Sequence, residues 1–190
     1  RCSGLTSVVI PEGVTSIGDW AFSWCENLTS ITIPESITRI GNWAFRGCGR
    51  LTGVTITEGV ASIGDWAFAG CESLTSITIP ESVTSIGREV FAGCKGLADA
   101  SGLVVVNGTV YLCWLNGTDV TIPEGVTSIG DWAFACCRSL TGVTIPEGVT
   151  SIGKGAFWMC ERLASVTIPD SVTRIREWAF AECGISALSL

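Results

Sequence analysis

The chain has 190 residues, a formal net charge of −7, no histidine, and 47% apolar against 15% charged residues. That balance excludes a disordered chain, and with Lys and Arg gathered into no stripe it argues against a nucleic-acid partner. The longest apolar runs, Leu103 to Val106 and Tyr111 to Leu115, are strand-sized. They fall far short of the roughly 20 residues that a membrane-spanning helix needs, so no membrane insertion is expected.

In chain order the first landmark is Cys2, which recurs as Cys25, Cys48, Cys71 and Cys94, then as Cys137, Cys160 and Cys183, a 23-residue period. A fixed period of this length specifies a solenoid whose units bury their apolar edges against one another. The whole of 1–190 is therefore expected to be one solenoid domain. With the cysteine as position 1, each unit opens on apolar residues such as Leu28, Ile31 and Ile33, spaced L-x-x-L-x-L with Thr29, Ser30 and Thr32 outward. This predicts a strand, ended by Pro34, which cannot donate to a ladder. Ile37 to Ile40 predicts a second short extended segment. Gly41 is expected to turn the chain, and Asn42 (Asp19, Asp65 and Asp131 elsewhere) to N-cap a single helical turn. On that turn Ala44, Phe45 and Cys48 share a face, with Trp43 at its edge.

The pattern L-x-x-I-x-I-P-x-[SG]-V-x-x-I-G-x-x-A-F-x-x-C resembles the BspA-like class of leucine-rich repeats over all of the chain except about 98–116. The resemblance implies an α/β repeat solenoid: a right-handed coil stack with one parallel sheet, short helical or 3-10 turns on the other side, and one inserted β-hairpin. It also implies secreted or cell-surface proteins of bacteria and mucosal protists that bind host proteins or other cells. No catalytic residue or cofactor comes with it.

The repeat fails between Cys94 and Cys137, where 98–116 forms an irregular unit. Leu103 to Leu112 is two apolar runs around Asn107-Gly108, a strong hairpin signal, so a β-hairpin projecting from or replacing one coil is expected there. Such an insertion carries specificity in many repeat proteins; the alternative is a hairpin that only fills its coil. Cys113 and Cys136 both fall at position 23, one coil apart. Coil spacing lies within the Cα separation that a disulfide spans, so the pair is a candidate bond. The other cysteines sit singly at an apolar position, unlike paired metal ligands, and read as buried free thiols with no metal.

Columns of identical residues supply the candidate surfaces. Thr32, Thr55, Thr78, Thr121, Thr144 and Thr167 form one outward row on the strand face. Trp20, Trp43 and Trp66 form an aromatic strip over the first repeats, with Trp24 near the same edge. Both are candidate partner-binding residues, since Trp offers large contact area at low entropy cost. Glu12, Glu35, Glu58, Glu81, Glu124, Glu147 and Asp170 form an acidic column at a solvated turn. Sequons at Asn27, Asn107 and Asn116 are candidate glycosylation sites if the source is a secreted eukaryotic protein.

A catalytic centre needs asymmetry, and repetition supplies none. No histidine offers a general base and no unique carboxylate pair stands out, so no enzyme and no cofactor are expected. The expected function is an extracellular or cell-surface recognition or adhesion module for a protein or glycan. The alternative is a structural protein. Cys2 to Ile10 and the apolar Ile185, Leu188 and Leu190 would then expose strand edges that stack end to end into a filament. The chain opens at Arg1 and both ends stop inside a repeat, as expected of a processed product or an excerpt.

Overall fold

The computed structural model describes residues 2–113 and 117–189, without the side chains of 112, 113 and 187–189. Two compact units, Arg1–Leu97 and Ala98–Leu190, are each a short β-solenoid.

In the first unit, strands β2 (Ser30–Ile33), β4 (Gly53–Ile56) and β6 (Ser76–Thr78) form a three-stranded parallel sheet. Its register pairs each residue with the one a full repeat later: Ile31 with Val54 with Ile77, and Thr32 with Thr55 with Thr78. The alternation follows from period-2 geometry, with Ile31, Ile33, Val54 and Ile56 buried and Thr32 and Thr55 exposed. The second extended segment forms a sheet of its own from β1 (Ser16–Ile17), β3 (Arg39–Ile40), β5 (Ser62–Ile63) and β7 (Ser85–Ile86). The single sheet expected from the sequence is thus two rows of strands. Between them and the turn side lies a column of stacked rings, Phe22, Phe45, Phe68 and Phe91, with centroids 5.2 to 6.1 Å apart.

The helical turns do not form. Among the described residues the only helical element is a 3-10 turn at Lys95–Leu97, so the α/β description does not hold for this chain. The reason lies in where the backbone N–H groups point. Trp20, Phe22 and Trp24 donate to Asn42, Ala44 and Arg46 of the next coil at 2.6 to 2.9 Å, and Trp43, Phe45 and Gly47 repeat this toward Asp65, Ala67 and Ala69. Alternate donors are consumed between coils, which leaves no continuous i to i−4 ladder. Nor do the Asp and Asn residues cap helices. Asp19 accepts the Asn42 N–H, Asn42 the Asp65 N–H and Asp65 the Arg88 N–H, at 2.8 to 2.9 Å, so this column ties coil to coil. Gly41, expected as a turn, is needed for close approach: a Cβ on it would lie 2.5 Å from the Asp19 side chain and 2.6 Å from its backbone nitrogen.

The second unit begins with the expected hairpin, β8 (Leu103–Val106) and β9 (Thr109–Cys113), antiparallel about Asn107 and Gly108, both at positive φ. It replaces a coil rather than projecting from one. Strand β9 pairs in parallel with β11 (Ser128–Ile129), and the sheet continues through β13 (Ser151–Ile152) to β15 (Arg174–Ile175). Leu103, Val104 and Val110 are fully buried. Strands β10 (Asp119–Thr121) and β12 (Gly142–Thr144) pair beside them, as do β14 (Ser165–Thr167) and β16 (Ala187–Ser189). Among the described residues no helix is long and apolar enough to cross a membrane.

Candidate ligand-binding surfaces

The strand face of the first unit carries Thr32, Thr55 and Thr78 in register and exposed. In the second unit Thr121 and Thr144 are in register, and Thr167 pairs with Ser189. The neighbouring threonine column does a different job. Thr29, Thr52 and Thr75 donate their hydroxyls to the carbonyls of Thr6, Thr29 and Thr52 one coil back, at 3.1 to 3.2 Å. On the second strand row Thr38, Thr84, Thr150 and Thr173 do the same. These hydroxyls are occupied by the scaffold, whereas Thr32, Thr55 and Thr78 make no side-chain hydrogen bond among the described residues. Adjacent threonines therefore divide into fasteners and presenters.

The tryptophans divide as well. Trp20 and Trp43 stack at 4.5 Å with ring planes 11° apart, and Trp20 is 48% exposed. Trp66 instead lines a solvent-open groove of about 700 Å³ together with Trp24. Glycines form its floor. Gly47, Gly70 and Gly93 succeed one another at position 23 with φ of 73 to 82°, and a Cβ on Gly47 would meet the Trp24 ring at 2.6 Å. Around the floor stand Glu26, Asn27, Arg46, Arg50 and Glu72. The Arg46 guanidinium lies over the Trp24 ring, 5.5 Å from its centroid. These charged residues and the glycine floor escaped the sequence reading. The available signal was their departure from the consensus in consecutive coils: Trp24 where glycine follows, and Arg46 where Ser23, Ala69 and Ala92 are small.

The cysteine column is interior. Cys25, Cys48, Cys71, Cys94 and Cys160 are buried free thiols, and Cys48, Cys71, Cys94 and Cys160 donate to the carbonyls of Phe22, Phe45, Phe68 and Phe134 at 3.1 to 3.3 Å. Burial, with the nearby thiols Cys137 and Cys183, pushes Cys160 far above an ordinary thiol's pKa. Cys136 is an exposed free thiol, while the side chain of Cys113, its candidate disulfide partner, lies outside the described residues.

Of the sequons, Asn107 sits exposed at the hairpin tip and Asn27 donates its amide to the Ser3 carbonyl at 2.5 Å; Asn116 lies outside the described residues. The carboxylates of the acidic column remain one per coil. Among the described residues no three metal-ligating side chains converge.

The family model for the BspA type leucine rich repeat region matches residues 1–101 and 107–190 in 6 copies. A leucine-rich repeat protein from Bacteroides ovatus is 36% identical, with a TM-score of 0.50, over 93% of this chain and 41% of its own. One from Eubacterium ventriosum is 25% identical, TM-score 0.50, over 97% of this chain and 60% of its own. The T. pallidum leucine rich repeat protein is 27% identical, TM-score 0.49, over 97% of this chain and 69% of its own. The chain thus spans about two-fifths of the Bacteroides ovatus protein. No curated protein matches it.

Proposed function

Because the chain belongs to the BspA type leucine-rich repeat family, we propose that it is a non-enzymatic recognition module, acting outside the cell or on its surface, that binds a protein or glycan. The observation that carries this is the division of the side chains. Backbone donors, buried residues and two threonine columns are committed to coil-to-coil contact, while Thr32, Thr55, Thr78, Trp20 and the groove residues face solvent on a rigid stack. Rigid display of many weak contacts suits recognition, since little ordering entropy is lost on binding. The lack of histidine and the one-per-coil spacing of carboxylates favour binding over catalysis. Beads coated with the folded chain should adhere to epithelial monolayers or to immobilised matrix proteins. They should do so more than beads carrying urea-unfolded chain, and Thr55→Arg or Trp20→Ala should reduce the adherence. Equal adherence of folded and unfolded chain would refute the reading.

A further inference from the structure

We propose that the groove of the first unit is a binding site for one or two pyranose rings of a neutral oligosaccharide. This deepens the recognition reading above and rests on it.

Four observations converge. First, the floor is built to receive flat rings. The Trp24 ring lies against Gly47, close enough that a Cβ there would sit 2.6 Å from it. Trp24 thus closes one end of the row, which continues open as Gly70 and Gly93, flanked by Ala69 and Ala92. From Gly70 to Gly93 is one coil spacing, roughly 5 Å at about 4.8 Å per coil, a length that suits one or two six-membered rings ending against Trp24.

Second, the walls supply what a pyranose needs. Trp66 offers an apolar ring, and Glu26, Glu72, Arg46 and Arg50 offer acceptors and donors for hydroxyls.

Third, three of those four polar groups are uncommitted, Arg46 alone lying over the Trp24 ring. Elsewhere in the unit Arg39 pairs with Asp19 at 3.1 Å and Arg88 with Asp65 at 3.6 Å. Glu26, Arg50 and Glu72 make no side-chain hydrogen bond or ion pair among the described residues, although both signs of charge line one groove. Two cations against two anions favour a neutral ligand; an anionic one meets Glu26 and Glu72.

Fourth, the floor from Trp24 to Gly70 is closed to an added peptide strand. A peptide strand adds to a free backbone edge, but the amides of Trp24, Gly47 and Gly70 already donate to Arg46, Ala69 and Ala92. Recognition here has to run through side chains.

The test is titration of the folded chain with maltotriose, cellotriose and triacetylchitotriose, each to about 10 mM, tenfold above a millimolar dissociation constant, followed by calorimetry and tryptophan fluorescence. At least one should give a saturable isotherm. Gly49 supplies a blocking variant, since its Cβ would meet nothing within 4 Å and its φ is ordinary. Gly49→Phe should therefore fill the groove without disturbing the fold, and it and Trp24→Ala should each weaken binding at least tenfold. Thr55→Ala, on the strand face, should leave binding unchanged. No isotherm with any of the three sugars, or an isotherm indifferent to Gly49→Phe in a variant that melts like the parent, overturns the assignment. Bead adherence separates the two levels: adherence that persists with flat sugar titrations defeats the groove site alone, whereas absent adherence defeats the recognition reading itself.

Discussion

Gly64→Ala should be among the most damaging single-methyl changes in the first unit. A Cβ on Gly64 would lie 2.6 Å from both the backbone nitrogen and Oδ1 of Asn42 and 2.7 Å from the carbonyl carbon of Gly41. These are mostly backbone atoms and cannot rotate away. Relaxing the contact to about 3.5 Å opens the gap between coils by about 0.9 Å. Three bonds cross that gap at 2.9 Å: Gly64 N–H to Ile40 O, Asp65 N–H to Asn42 Oδ1, and Trp43 N–H to Asp65 O. Stretched that far they cease to be hydrogen bonds. Two or three such losses at about 1 kcal/mol each, with an overpacking strain of about 1 to 3 kcal/mol, give roughly 3 to 6 kcal/mol. That is a large share of a typical domain's stability of about 5 to 15 kcal/mol. Gly49→Ala is the matched control, since its new Cβ meets open space and it should be neutral or slightly stabilising. Urea melts followed by circular dichroism measure both. Equal midpoints for Gly64→Ala and Gly49→Ala would refute the close-approach argument.

The intercoil Asp/Asn column makes a sharper chemical distinction: Asp65→Asn should cost no more than the few tenths of a kcal/mol of its exposed pair with Arg88, because Asn42 already performs the same intercoil role, while Asp65→Ala should lose about 1 kcal/mol of stability in the same urea melt. In the second unit Gly108→Val places a branched side chain at φ of 70° with its Cβ 3.1 Å from Thr127 Oγ1. It should destabilise that unit by more than about 1 kcal/mol, whereas Asn107→Gly should be tolerated, both read by thermal melts. Ellman titration should label Cys136 in the native protein and Cys71, Cys94 and Cys160 only in denaturant. A raised folded pKa at Cys160 means that its folding contribution is complete below the unfolded thiol value of about 8.5 and is lost as pH climbs toward the folded one. Denaturant midpoints should therefore fall between about pH 8.5 and pH 11, and Cys160→Ala should flatten that slope.

The strand rows, the Phe, Ala and Cys interior and the hairpin were legible because each depends on periodicity or on a local turn signal. Ile31, Ile33 and Phe45 are buried where their spacing puts them, and Asn107-Gly108 turns where its chemistry demands. The turn side was misread for a physical reason. The offsets of Ala44, Phe45 and Cys48 are those of a helical face, yet the deciding term is intercoil. The donors of Trp43, Phe45 and Gly47 find carbonyls 22 residues away, in the next coil. No local window contains that information. The groove was hidden for the same cause, since Trp24, Arg46, Arg50 and Glu72 are brought together only when successive coils are superposed.

Backbone conformation adds a constraint that the repeat pattern alone conceals. Position 19 is left-handed in every complete coil, with φ of 48 to 62° at Trp20, Trp43, Trp66, Glu89, Gly155, Trp132 and Trp178. Glycine would adopt this geometry freely and does so at Gly155, whereas a bulky residue there costs of order 1 to 3 kcal/mol. Stacking such as that of Trp20 on Trp43 returns about 0.5 to 1.5 kcal/mol, and partial burial of the rings offsets more of that strain. At position 23, equally left-handed, the first unit follows the opposite course and uses glycine after Trp24, which clears the groove floor. The two strained columns therefore carry contrary choices, bulk at position 19 and absence at the groove floor.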